Sequence, residues 1–140
     1  TPMQPSPSNY SAVVHSPPDT VNDAHDFLKT VWGQRPDIGA GDRMAIETAL
    51  SELVTNVIQN NPHRPVLCEV TLAVTPAELV LRTADTGDPL VDAPTPSMPG
   101  VDAEHGRGLA LIELIADDLS YSHEGSMNVW QVTKARSPRD

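Results

Sequence analysis

The longest helical period in the chain runs from about Gly41 to Asn60. Ile46, Leu50, Leu53, Val54 and Val57 recur at three- and four-residue steps, the mark of one buried face. Beside that face, Glu52, Asn56 and Asn60 fall at i, i+4 and i+8, so a carboxylate and two carboxamides stack one above another. Asn61-Pro62 closes the helix, because a residue before proline is pushed out of the helical region. Upstream, Asp19 or Thr20 caps a helix to about Gly33, with Val21, Ala24, Leu28 and Val31 on one face and Phe27 and Trp32 widening it.

Elsewhere the period is two. Val66, Cys68, Val70, Leu72 and Val74 share one face of a strand over Val66–Val74. Thr75-Pro76-Ala77 turns the chain into a partner strand over Glu78–Ala84. Tyr10–His15 reads as a short edge strand, stopped by Ser16-Pro17-Pro18. Gly108–Asp117 reads as a helix burying Leu111, Ile112 and Ile115. Asp118–His123 and Met127–Lys134 read as two last strands across a turn at Glu124-Gly125-Ser126. The order is strand, helix, helix, hairpin, long loop, helix, hairpin, which predicts a two-layer α/β (α+β) sandwich: a mixed, mostly antiparallel sheet with helices on one face. The loop over Asp88–His105 holds four prolines, and loops of that length are usually functional or disordered.

The chain has 140 residues, of which 39% are hydrophobic and 4% aromatic, so its single core rests on Leu, Ile, Val and Ala. The formal charge of −10 argues against direct binding of nucleic acid, which needs clustered Lys and Arg. The lone Cys68 reads as a buried thiol and fits a reducing, cytoplasmic setting. No apolar run is long enough to span a membrane. The proline-rich residues 1–9 and the residues 137–140 read as tails or linker remnants around a domain over 10–136.

Three stretches carry candidate chemistry. The Glu52–Asn56–Asn60 stripe could hold a metal ion and a nucleophile; alone, it reads first as a solvated helix face. Asp85-Thr86-Gly87 follows a strand. An ionised carboxylate only accepts hydrogen bonds, so Asp85 suits the amino group of adenine and disfavours the carbonyl of guanine. Gly87 would let backbone approach the base. Alone, this is an ordinary turn. Gly106-Arg107-Gly108-Leu109 leads into a helix, where backbone N–H groups and the positive dipole end suit phosphate oxygens and Arg107 can add a charge-assisted contact. Leu111 stands where a dinucleotide fingerprint would need its third glycine.

Glu-x-x-x-Asn on a helix, Asp-x-Gly after a strand and Gly-x-Gly into a helix, in that order, resemble the motif set of the GHKL, or Bergerat-fold, ATP-binding domains. Over about Asp19 to Arg136 the chain resembles the bacterial anti-sigma-factor serine/threonine kinases within that group. The resemblance implies ATP as ligand, with Asn56 holding Mg²⁺, Glu52 as general base and the Asp88–His105 loop as a lid. Asn60, Asp85, Gly87, Gly106, Arg107, Gly108 and Leu109 would surround the nucleotide. It also implies a sigma factor and an anti-sigma-factor antagonist as partners, in a protein that can form a homodimer. A non-catalytic ATP-binding module and the catalytic domain of a histidine kinase remain open on the same motifs. The chain departs from the family pattern in three places: an amide, Asn60, where histidine is common; Ser126 or Asn128 where a last-strand threonine is common; and no second glycine close after Gly87.

Overall fold

A computed structural model describes residues 8–17, 19–61, 63–87 and 103–137. Eight elements follow one another: β1 (Ser8–Ser16), α1 (Val21–Gln34), α2 (Ala40–Asn60), β2 (Val66–Val74), β3 (Glu78–Asp85), α3 (Ala103–Ile115), β4 (Asp118–Glu124) and β5 (Met127–Ala135). The five strands form one sheet in the order β1-β2-β3-β5-β4, and every neighbouring pair is antiparallel. The expected mixed sheet is therefore fully antiparallel. Of the loop expected over Asp88–His105, residues 88–102 lie outside the described residues and 103–105 are helical.

Strict alternation builds the sheet. Val66, Cys68, Val70, Leu72 and Val74 of β2 are buried, as are Leu79, Leu81, Thr83 and Asp85 of β3. These side chains face the helices and join Leu28, Val31, Ile46, Leu50, Leu53, Leu109 and Ile112 in one core. α2 lies across β2, β3 and β5, flanked by α1 and α3. The five apolar positions read from its period are all buried. α1 begins in a capping box: Thr20 Oγ1 accepts from Asn22 N–H at 3.2 Å, and Asp23 Oδ2 accepts from Thr20 N–H at 2.8 Å. At the β4–β5 turn, Gly125 adopts φ 62°, a conformation that costs glycine little.

Several boundaries differ from the pattern reading. β1 starts at Ser8, because antiparallel pairing with β2 continues to Val74. α3 starts at Ala103, five residues before Gly108, and ends at Ile115. Leu109 and Ile112, at i and i+3, set its buried line, which leaves Leu111 39% exposed instead of in the core.

The end of the sheet remote from Asp85 is held by charge. Arg35 grips Asp37 with two hydrogen bonds of 2.9 Å, and Arg136 reaches the same carboxylate at 2.9 Å. Together they hold the Asp37 carboxyl far below the usual carboxylate range. Asp42, 2% exposed in the first turn of α2, accepts from Lys134 Nζ at 3.2 Å and from the N–H and hydroxyl of Ser137, each at 2.9 Å. Ser137, expected in the tail, is thus tied to the domain. Burial raises the Asp42 pKa, but the Ser137 and Lys134 contacts outweigh it and leave a net lowering. A lowered carboxylate contributes stability above its ordinary pKa and loses it as pH falls through the folded value. Asp42→Asn should cost about 1–3 kcal/mol at pH 7. Urea unfolding at falling pH should show that deficit shrink once the native Asp42 protonates; a deficit constant down to pH 2 would assign it to packing alone.

Candidate functional site

The carboxyl end of β3 is where polar side chains enter the core. Asp85 is 2% exposed on the helix-covered face. Its cross-strand partners are Cys68 of β2 and Asn128 of β5. The Asp85 Oδ1 atom accepts from Gly87 N–H at 2.9 Å and from Asn128 Nδ2 at 3.1 Å. Asn128 Nδ2 also donates to Gly87 O at 3.1 Å, and Asn128 Oδ1 accepts from Tyr121 OH at 2.5 Å. Among the described residues, both hydrogen bonds found on this carboxylate fall on Oδ1.

The turn after Asp85 is fastened along its length. Thr86 N–H donates to Leu67 O at 3.0 Å, and Leu67 N–H returns a 3.0 Å bond to Thr86 Oγ1. Arg64 Nη2 donates to Thr86 O at 3.0 Å. Gly87 is required here by close approach. A Cβ at Gly87 would lie 2.5 Å from Asn61 Nδ2 and 2.9 Å from Asp85 Oδ1. The glycine therefore makes room for Asn61 and Asp85 themselves, which the pattern reading had assigned to an approaching base. Asn61 caps the end of α2, is 7% exposed, and donates from Nδ2 to Val57 O at 2.8 Å.

Burial raises the Asp85 pKa, while the hydrogen bonds from Asn128 and Gly87 lower it; the net shift is upward. Cys68 beside it is pushed up to about 12 by burial, then by the Asp85 and Glu69 charges, so its thiol stays protonated. A carboxylate held at a strand end, with both donors found among the described residues on one oxygen, is a candidate for contact with a further donor.

The α2 stripe lies back along the helix from this contact. Glu52 and Asn56 are half-buried, one turn apart, and no hydrogen bond among the described residues engages either side chain. Asn60, expected beside them around a nucleotide, is exposed. Asn61, at the next position, is the α2 amide that reaches the Asp85 turn, because a one-residue step turns it 100° towards the sheet. Gly106, Arg107 and Gly108 lie inside α3, where they had been expected to open it. The N–H groups left free at this helix start belong to residues up to 105, not to the Gly-x-Gly step. Leu109, also expected at the nucleotide, is 2% exposed and packs in the core.

Of the predicted site residues, the structure joins Asp85 and Gly87 in one network and places Glu52 and Asn56 on a shared helix edge. It adds Asn61, Asn128 and Tyr121. Between Ser126 and Asn128, the two last-strand alternatives, the register chooses Asn128, which pairs with Asp85, while Ser126 is exposed in the turn. Tyr121 carried a signal that alternation alone could have shown: it shares the inner face of β4 with Leu119, opposite Trp130.

A five-stranded antiparallel sheet covered on one face by helices, with an acidic strand end under the central helix, defines a GHKL-like ATPase fold. Residues 14–134 match the histidine kinase-like ATPase domain family, and the chain belongs to it. No curated protein sequence matches the chain. The catalytic domain of histidine kinase ThkA, in a nucleotide-free form, is similar in structure: TM-score 0.55 at 12% identity over 95% of this chain and 99% of that one. Acinetobacter baumannii histidine kinase AdeS gives a TM-score of 0.45 at 14% identity over 97% of this chain and 70% of that one. Domains of this family bind ATP, so the chain is a kinase-like ATP-binding domain. Among the described residues no helix is long and apolar enough to cross a membrane.

Asp85→Asn tests the strand-end carboxylate. The amide oxygen can keep both hydrogen bonds at Oδ1, while the second atom becomes a donor facing a donor. A carboxyl group whose folded pKa is raised favours folding below its ordinary pKa and loses that contribution as pH rises through the folded value. At pH 7 the variant should therefore unfold at or above the parental temperature while binding ATP about 10- to 100-fold more weakly by calorimetry. Parental ATP affinity in a folded variant would remove Asp85 from base recognition.

Proposed function

We propose that this domain is an ATP- and Mg²⁺-dependent protein serine/threonine kinase of the anti-sigma-factor type. In this reading it phosphorylates an anti-sigma-factor antagonist and, when not so engaged, holds a sigma factor. The observation that carries the reading is the Glu52–Asn56 pair. Glu52 stands one helical turn before Asn56 on the exposed edge of α2, both half-buried and without internal hydrogen bonds among the described residues.

The donor set fits a magnesium ion. Mg²⁺ takes hard oxygen ligands and keeps several waters, so one amide oxygen and the nucleotide phosphates suffice. No cluster of three His, Cys, Asp or Glu side chains that could hold a metal by itself occurs among the described residues. Asn56 Oδ1 would hold the ion, which neutralises phosphate charge when bound.

Transfer to a serine or threonine hydroxyl needs a group that takes or orients the hydroxyl proton. Glu52 supplies a carboxylate for this at the edge of the phosphate site. A neutral imidazole attacks through a nitrogen lone pair and has less need of such a base, which favours a hydroxyl acceptor over histidine. Asp85 holds adenine, leaving the α2 edge to the phosphates. The antagonist and the sigma factor are inferred from the motif resemblance, and a reducing cytoplasm fits the single buried thiol.

Glu52→Gln keeps shape and a hydrogen-bonding oxygen but removes the charge. Phosphate transfer to the antagonist should slow by at least ~100-fold, with ATP affinity within a few-fold of the parent. Asn56→Ala should lose Mg²⁺-dependent nucleotide affinity as well. Transfer at the parental rate by Glu52→Gln would contradict the general-base role. A parent that binds ATP yet phosphorylates no antagonist would leave a non-catalytic ATP-binding module.

A further inference from the structure

Tyr121 belongs to none of the three motifs and packs against the core. It sits on β4, an edge strand, opposite Trp130, and its ring packs on Trp130 with centroids 4.7 Å apart. Its hydroxyl passes diagonally to Asn128 Oδ1 at 2.5 Å. The other end of that amide donates to Asp85 Oδ1 and to Gly87 O, both at 3.1 Å. Since a carboxylate and a carbonyl can only accept, the NH₂ end must face them and the oxygen end must face the tyrosine hydroxyl. Three contacts thus fix the plane of one buried amide, which is 4% exposed.

We propose that Tyr121 is a positioning residue for base recognition: through Asn128 it holds the Asp85 carboxylate in the rotamer that turns Oδ2 to the purine. This rests on the reading of Asp85 as the adenine contact. Trp130 presses the tyrosine ring into place, so the edge strand of the sheet sets the geometry of the strand end at its centre. Withdrawing the hydroxyl takes a donor from the Oδ1 end and loosens the amide. The N–H bonds to Asp85 and Gly87 then lengthen or lapse part of the time. Two consequences are readable. The purine meets a less ordered carboxylate, and Asp85 loses part of a contact that favours its ionised form.

The groups that face Asp85 make the second consequence clean. Among the described residues these are Cys68 from β2, protonated through the working range, and the uncharged Asn61 and Asn128 from α2 and β5. Glu69 acts on Cys68 from the opposite face of β2.

The experiment is a double-mutant cycle between Tyr121→Phe and Asn128→Ala with two readouts. The first is the carboxyl titration of Asp85 by carbon-detected NMR without nucleotide. The second is calorimetric ATP affinity across pH. Tyr121→Phe keeps the ring on Trp130 and should preserve the fold. It should move the Asp85 titration to higher pH, carry the acid limb of ATP binding up with it, and weaken ATP binding about 3- to 10-fold at pH 7. In the Asn128→Ala background the same change should do nothing further, which a merely structural tyrosine would not satisfy. An unmoved Asp85 titration, or an equal shift in both backgrounds, overturns the proposal. A parent with no ATP affinity overturns the adenine reading instead, and the nucleotide-free titration still decides whether Tyr121 acts through Asn128.

Discussion

A carboxylate carried into the core at the end of a central strand is the constraint around which this fold is arranged. Asp85 is 2% exposed, and a buried carboxyl group is tolerable only when hydrogen bonds meet it from the protein. Each bond comes from a different part of the chain. Asn128 arrives by β5 pairing, Gly87 by the turn that follows, and the turn itself is pinned by Leu67, Arg64 and Thr86. Asn61 then closes the space above Gly87 from the end of α2. The raised pKa of Asp85 reflects the cost of burial that these bonds leave uncompensated.

α2 joins this strand end to the edge that carries Glu52 and Asn56, where the proposed phosphate chemistry would fall. One face of the helix supplies Ile46, Leu50, Leu53, Val54 and Val57 to the core, which fixes the helix over β2, β3 and β5. With the helix fixed, the edge bearing Glu52 and Asn56 has a fixed direction, and its carboxyl end must meet the Asp85 turn. At the other end, Asp42, Lys134 and Ser137 clamp the start of α2 to the end of β5. The helix is thus held at both ends and along its length, which fixes the spacing of Glu52 and Asn56.

Much of this was legible in the sequence because local period decides it. The α2 stripe, the alternation of β2 and β3 and the Asp85 turn follow from spacing alone, and the two hairpins β2–β3 and β4–β5 follow from short turns, whereas the β1–β2 and β3–β5 pairings join distant parts of the chain. The misplacements have tertiary causes. Asn60 and Asn61 are neighbours in a run of amides, and only the rotation of α2 on the sheet decides which is buried. The start of α3 lies five residues before Gly108, because Ala103 and Glu104 favour helix and glycine's local penalty of about 1 kcal/mol does not stop it. Leu111 is apolar yet outward, since Leu109 and Ile112 take the buried line. The inward facing of Tyr121 was legible in the alternation of β4, but its bond to Asn128 was not, because the hydroxyl finds its partner across a strand register that one strand alone does not reveal.

The central proposal is that Asp85 reads the amino group of adenine. The parental domain can test it without substitution, by calorimetric comparison of ATP with inosine triphosphate under the same magnesium and salt. The two ligands differ by an amino group replaced with a carbonyl, which turns a donor facing the Asp85 carboxylate into a second acceptor. If Asp85 reads the amino group, ATP should bind about 100-fold more tightly. Equal affinities for the two nucleotides would contradict it.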